Sequence, residues 1–341
     1  LNSAFSRQMI AMVQQEQGET WDTQLQQLIH DGTQKIDDRL RALDLMLLFG
    51  TPIELADLEQ LAGDREPRLR AKAAYLMGVQ NDAALTEKLS TLLTDPDANV
   101  RRLACDAVTR GEYAVSAAAV VKLLGDERRF VAHAARRAIE RQAVDSWKTL
   151  CLQSDNMREY LLGATALMIQ APSRDHALEV IRNGEDFLAG FVTDDDLVDL
   201  LRVFELAVSL GGLQRGDVPQ LSAALAEEFP AGDQRINREL ARLIGYFHES
   251  AALPRMLEYL QGDASDTDKL QIALHLRYVF DGWQTTDRLA WLRYLDRAQL
   301  LEGGNSMIGY LENVRRDFCK TMSKADRAAV LQEATKMPGA A

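Results

Sequence analysis

Asp64, Asp95 and Asp126 stand 31 residues apart. The same step carries Leu61 to Leu92 and Leu123, Leu69 to Val100 and Val131, and Ala73 to Ala104 and Ala135. The three copies read Asp64-Arg-Glu-Pro-Arg-Leu-Arg70, Asp95-Pro-Asp-Ala-Asn-Val-Arg101 and Asp126-Glu-Arg-Arg-Phe-Val-Ala132, the last having lost its closing arginine. A register of this length constrains the fold more than composition does. One copy of about 31 residues has room for two short helices but cannot hide their apolar stripes alone, so neighbouring copies must stack and share a core.

Apolar residues recur at three- and four-residue steps along nearly the whole chain, with almost no strand-like alternation, which predicts an all-α fold. Thr51-Pro52-Ile53-Glu54 reads as an N-cap, a proline at the first helical position and a capping-box glutamate ahead of Leu55, Leu58 and Leu61. Gly63-Asp64, Gly125-Asp126 and Gly262-Asp263 read as helix ends at a left-handed glycine, each followed by a residue able to cap the next helix. Helices of about ten to sixteen residues are expected. Past the third copy the register loosens. Asp155 leads a divergent fourth copy, and Asp233-Gln-Arg-Ile and Asp266-Thr-Asp-Lys lead two later ones. The expected organisation is a helical cap over 1–50, regular repeats over 51–150, and divergent repeats with a closing cap over 151–341, all in one continuous array.

Ala73, Ala104 and Ala135 each follow the apolar anchor by four positions, where a small residue lets one helix lie close to the next. Cys105, Cys151 and Cys319 lie in apolar helical stretches without Cys-x-x-Cys spacing and read as small buried side chains.

An Asp six positions before an Arg, inside Leu-rich helical pairs of this length, resembles short bacterial HEAT repeats. The likeness covers residues 50 to 150 well and residues 155 to 280 by helix length and weak phase. It implies an α-solenoid of HEAT-like hairpins in which Asp64, Arg70, Asp95 and Arg101 form a ladder between adjacent turns. A second likeness is carried by Leu276-Arg-Tyr-Val-Phe-Asp-Gly-Trp283, Gly303-Gly-Asn-Ser306 and Asn313-Val-Arg-Arg316. Over residues 265 to 320 these resemble the HEAT-rich segment of large planctomycete-type exported proteins, where it adjoins haem c domains. That resemblance implies an exported or periplasmic scaffold, with haem held elsewhere because this chain has no Cys-x-x-Cys-His; without it the expectation is cytoplasmic.

Function classes can be narrowed from charge and spacing. With 39 Lys and Arg against 51 Asp and Glu, the net charge of -12 repels a polyanion and disfavours nucleic acid. No run of about eighteen apolar residues is present to insert in a membrane. The start, Leu1-Asn2-Ser3-Ala4-Phe5, has neither an initiating Met nor a signal-peptide pattern and suggests a processed product or a segment of a larger protein. His30, His133, His176, His248 and His275 are scattered without metal-ligand spacing, so no metal is expected. Asp194-Asp195-Asp196 reads as a helix start, and Asn305 or Ser306 as a cap after the Gly303-Gly304 break. Trp283 and Trp291 read as packing residues. No catalytic set emerges and no cofactor is expected.

What remains is a surface. The register aligns Tyr75, Asp106 and Arg137 in one column and Ala71, Arg102 and His133 in a second, on the side expected to be concave. Tyr and Arg are the residue types that dominate interface energetics. The expected function is a protein-interaction scaffold, acting as a monomer or as part of a larger chain. The alternatives are a helper enzyme resembling HEAT-like bilin lyases and a nucleic-acid binder resembling HEAT-like DNA glycosylases.

Overall fold

The structure, a computed structural model, describes residues 3–304 and 306–336; Asn305 lies outside the described residues. Among these residues the chain forms twenty α-helices, a few short 3-10 turns and no strand. The helices fall into two compact units, residues 1–170 and 171–341.

In the first unit the helices are α1 (Ala4–Gln17), α2 (Thr20–His30), α3 (Ile36–Phe49), α4 (Leu55–Ala62), α5 (Pro67–Gln80), α6 (Thr86–Leu92), α7 (Ala98–Arg110), α8 (Ala117–Leu124), α9 (Arg129–Ile139), α10 (Lys148–Leu152) and α11 (Met157–Gln170). They pair as hairpins: α4 with α5, α6 with α7, α8 with α9 and α10 with α11. The longer second helices α5, α7 and α9 lie side by side as a layer. The repeat columns form the core between layers. Ala73, Ala104 and Ala135 are fully buried, as are Leu69 and Val100, with Val131 at 1% exposure. This is an all-α solenoid of stacked hairpins. The small residues are needed for close approach: a Cβ built on Gly78 of α5 would sit 2.7 Å from the Ala107 Cα of α7. The 31-residue register also reaches back into α3, where Ala42 and Met46 stand one step before Ala73 and Met77 and are equally buried.

The second unit contains α12 (Arg174–Leu188), α13 (Asp194–Gly211), α14 (Pro219–Glu228), α15 (Gln234–Tyr246), α16 (Leu253–Tyr259), α17 (Asp266–Leu276), α18 (Thr285–Ala298), α19 (Met307–Thr321) and α20 (Lys324–Lys336). Its second-helix layer is α13, α15 and α17. Trp283 and Trp291 pack on Phe318 with ring centroids 4.9 and 4.3 Å away, closing the core of this unit. Both indole N–H groups are satisfied, by the carbonyls of Val279 and Ala273. Among the described residues no helix is long and apolar enough to cross a membrane.

Several local readings are corrected by the structure. The helix after Gly50 begins at Leu55, and Thr51-Pro52-Ile53-Glu54 is not helical. Ile53 is buried and its carbonyl accepts a hydrogen bond from the Gln80 side chain at 2.7 Å, which anchors the segment outside the helix. Gly63 and Gly125 end their helices at φ of -100° and -81°, in no left-handed conformation, and Gly262 has no positive φ either. The turn is closed instead by short-range bonds such as Gly63 N–H to Gln60 O and Asp64 N–H to Leu61 O. The capping position falls two residues later than read: Glu66, Asp97 and Arg128 precede the second helices, while Asp64, Asp95 and Asp126 each accept from the amide two residues on, at 2.8 Å. Because that turn occupies part of each repeat, the first helices have only 7 or 8 residues, below the expected length. In the divergent copies, Ser154 and Asn156 rather than Asp155 make the turn bonds. Ser265 rather than Asp266 caps α17, while Asp233 does cap α15. Thr193 caps α13, with Asp194, Asp195 and Asp196 in its first turn. Ser306 precedes α19 with helical backbone angles and makes no side-chain capping bond.

Candidate interaction surface

The Asp turns and the second helices are tied together by arginines that reach from one repeat to the next. Arg70 places Nε 2.7 Å and Nη2 2.8 Å from the two carboxylate oxygens of Asp95, while its Nη1 donates to the Asp64 carbonyl at 3.0 Å. Arg101 repeats the arrangement, with Nε 2.8 Å from Asp126 and Nη1 2.8 Å from the Asp95 carbonyl. Arg39, one register step earlier, donates to Asp64 at 3.0 Å and to the Ile29 carbonyl at 2.7 Å. In the second unit Arg238 reaches Asp268, with Nε and Nη2 at 3.0 and 2.6 Å from one carboxylate oxygen. Burial works against the ionised Asp95, yet the bonds from Arg70 and from the Asp97 amide outweigh it and hold the carboxyl below its usual range. Arg39 and Arg238 were not singled out by the sequence reading. The 31-residue step from Arg70 back to Arg39 carries the first of them; no comparable step leads to Arg238.

This ladder fixes the register of α5, α7 and α9, and so fixes which side chains their layer shows to solvent. Tyr75 is half-buried, and its ring is met by the Lys72 Nζ at 4.9 Å and the Arg110 guanidinium at 5.0 Å. Arg102 and Asp106 form an ion pair at 2.8 Å along α7. His133 and Arg137 are exposed on α9, and Arg137 lies 3.9 Å from Glu140. Ala71 is buried and contributes no contact surface. Around these residues stand exposed apolar side chains, Val79 at 45% and Phe130 at 62%.

A cleft in the second unit was not visible in the sequence. It measures about 790 Å3 and is lined from α13, α15 and the end of α17, with Arg202, Glu205, Arg242, Tyr246, His275 and Tyr278 among its walls. Arg242 bonds Glu205 at 3.0 Å and also engages buried Glu239, which Arg202 reaches at 3.1 Å. Burial is the main reason the Glu205 carboxyl is pushed up to about 7; Arg242 pulls against it and Glu239 adds to it. Burial likewise pushes His275 down to about 4, with Arg242 and Arg277 adding repulsion. At the rim, the His248 ring stacks on Phe280 at 4.3 Å. The Glu205–Arg242 offset of 37 residues differs from the 31-residue register of the first unit, so the columns did not align these groups.

Among the described residues no group of three His, Cys, Asp or Glu side chains is placed to hold a metal ion. No curated protein matches this chain. The family model for HEAT repeats matches residues 55–140, which span α4 to α9 with their Asp–Arg ladder, and this stretch of the chain is therefore built of HEAT repeats.

Proposed function

We propose that the chain is a non-catalytic protein-interaction scaffold whose partner lies across α5, α7 and α9, on Tyr75, Arg102, Asp106, His133 and Arg137. HEAT repeats commonly serve as interaction scaffolds, which supports the general class. The observation that carries the particular surface is the seating of Tyr75. Its ring is already engaged by the Lys72 and Arg110 cations, so this aromatic anchor would lose little rotamer freedom on binding. The ladder beneath adds rigidity, since a partner meets side chains whose spacing is set before it arrives. The resemblance of residues 265 to 320 to the HEAT-rich segment of planctomycete-type exported proteins supports a finer reading, in which the chain is one part of a larger assembly.

The test is site-specific photocrosslinking in extracts of the native cell. A photoreactive residue at position 75 or 133 is expected to give discrete protein adducts, while the same residue at Glu59 or Lys122 on the first helices gives none. Equal labelling from both sets, or no adduct from the α5–α9 positions, would remove the assignment.

A further inference from the structure

We infer that the partner segment seated on this face is an acidic polypeptide. The inference rests on the reading of the face as an interaction surface and adds its chemistry.

The register defines which charges the face carries. Arg68, Lys72, Arg102, Arg110, Arg137 and Arg141 stand on or beside it, against two acids, Asp106 and Glu140. The chain as a whole has the opposite bias, 39 basic to 51 acidic residues, and the first unit alone has 20 Lys and Arg to 24 Asp and Glu. Positive charge is therefore concentrated on one strip of an acidic body. Neutralisation within the chain is uneven. Arg68 is answered by Asp37 of α3 and Arg102 by Asp106. Arg137 shares Glu140 with Arg136, which binds it more closely. Arg110 lies over the Tyr75 ring, and neither it nor Arg141 has a carboxylate within 4 Å among the described residues. The excess thus sits at the C-terminal end of α7 and just past that of α9.

Lys72 is paired with Asp44 of α3, and the other five cations are arginines, whose planar forks take carboxylates with two parallel bonds. The chain uses that geometry internally between Arg70 and Asp95. Phe130 and Val79, exposed between the arginines, offer contacts to apolar side chains that a phosphate backbone lacks. Adjacent helices pack about 8 to 10 Å apart, so crossing from α5 to α9 spans about 20 Å, which about six extended residues cover. A short acidic segment fits within the strip, whereas a nucleic-acid duplex would extend over the acidic surroundings.

The test uses the full chain and fluorescence anisotropy at low salt. The probe is a labelled twelve-residue peptide of Asp and Glu interspersed with Leu and Phe; the comparisons are its Asn/Gln counterpart and twelve-nucleotide single-stranded and duplex DNA. The acidic peptide is expected to bind at least tenfold more tightly than the amide peptide and than either DNA, and to weaken as salt rises. Arg102→Glu with Arg137→Glu should weaken it at least tenfold, and Lys122→Glu on α8 should leave it unchanged, with thermal unfolding confirming that each variant is folded. Should the double reversal fail to fold, Arg110→Gln with Arg141→Gln should weaken binding at least threefold. Equal affinity for the amide peptide, DNA bound as tightly as the acidic peptide, or indifference to these substitutions overturns the inference. Crosslinks from positions 75 and 133 without acidic-peptide binding would overturn the acidic chemistry alone and leave the scaffold reading standing.

Discussion

The Arg70 guanidinium binds both carboxylate oxygens of Asp95 across a repeat boundary, at 2.7 and 2.8 Å, and both side chains are largely shielded, at 13% and 7% exposure. Removing the acid leaves the cation under-solvated and also frees the amide of Asp97, whose hydrogen bond shapes the turn. Asp95→Ala is expected to lower unfolding free energy by about 3 kcal/mol, near the low end for breaking a buried pair because the ladder is still partly wet. Urea denaturation would measure it, and a loss below about 1 kcal/mol would show the ladder to be ornamental.

The same pair predicts a pH dependence. Asp95 ionises more readily folded than unfolded, so its contribution is full above the unfolded value of about 3.9 and is lost as pH falls through the lower folded value. The stability gap between wild type and Asp95→Asn should be constant from pH 8 down to about 5 and shrink in stronger acid. A gap that widened in acid would contradict the geometry.

Close helix approach predicts a reversal of ordinary helix propensity. Alanine normally gains about 1 kcal/mol over glycine inside a helix. At Gly78 the new Cβ would meet the Ala107 Cα at 2.7 Å, backbone that cannot rotate away. Overpacking costs about 1 to 3 kcal/mol, so Gly78→Ala should destabilise on balance. Ala104→Leu, at a fully buried position in the adjacent helix, should cost a similar amount. Gly63→Ala, where the nearest neighbour is 3.6 Å away, should be close to neutral. Thermal unfolding of the three variants would rank them, and a stabilised Gly78→Ala would sink the packing argument.

The repeat was legible because burial selects the same residue type at the same step: Ala73, Ala104 and Ala135 must all be small, and their spacing survives in the sequence. Local caps were less legible. Pro52 looked like a helix start because proline suits a first turn, yet Ile53 gains more by burial in the core, and that tertiary demand overrode the local signal. The glycines at 63 and 125 suggested left-handed ends because the identity of a residue does not show which turn closes; three-residue hydrogen bonds closed both. The cleft around Glu205 was hidden for a different reason. Arg202, Glu205, Glu239 and Arg242 look like ordinary surface charges spaced three apart, and only the packing of α13 against α15 makes them converge.

Thiol reactivity follows from burial. Cys105 and Cys151 are fully buried, and desolvation pushes both thiols up to about 12, with Asp106 adding to the first and Glu159 to the second. Cys319 is half-buried. Native protein treated with an aromatic disulfide reagent at pH 8 should release about one equivalent of thiolate promptly and three only after denaturation. Fast release of more than one would show that the helices enclosing Cys105 or Cys151 open readily.

The Glu205 carboxyl gives a pH signature in the second unit. Its folded value, about 7, lies above that of an exposed glutamate, near 4.5. Below about pH 4.5 both states hold the proton and folding is not penalised. As pH rises toward 7 the unfolded state ionises first, and the stability contributed by the protonated form is lost, on the order of 2 kcal/mol by pH 8. Glu205→Gln removes that titration while keeping the shape of the side chain beside Arg242. The variant should therefore gain on wild type as pH rises from 5 to 8, with the difference levelling off above about 7.5. Guanidinium denaturation at half-unit steps would trace it. A variant that instead lost ground with rising pH would mean that the ionised carboxylate is stabilised by Arg242 more than burial penalises it, and Glu205 would then be ionised at neutral pH, balancing Arg242 in the cleft.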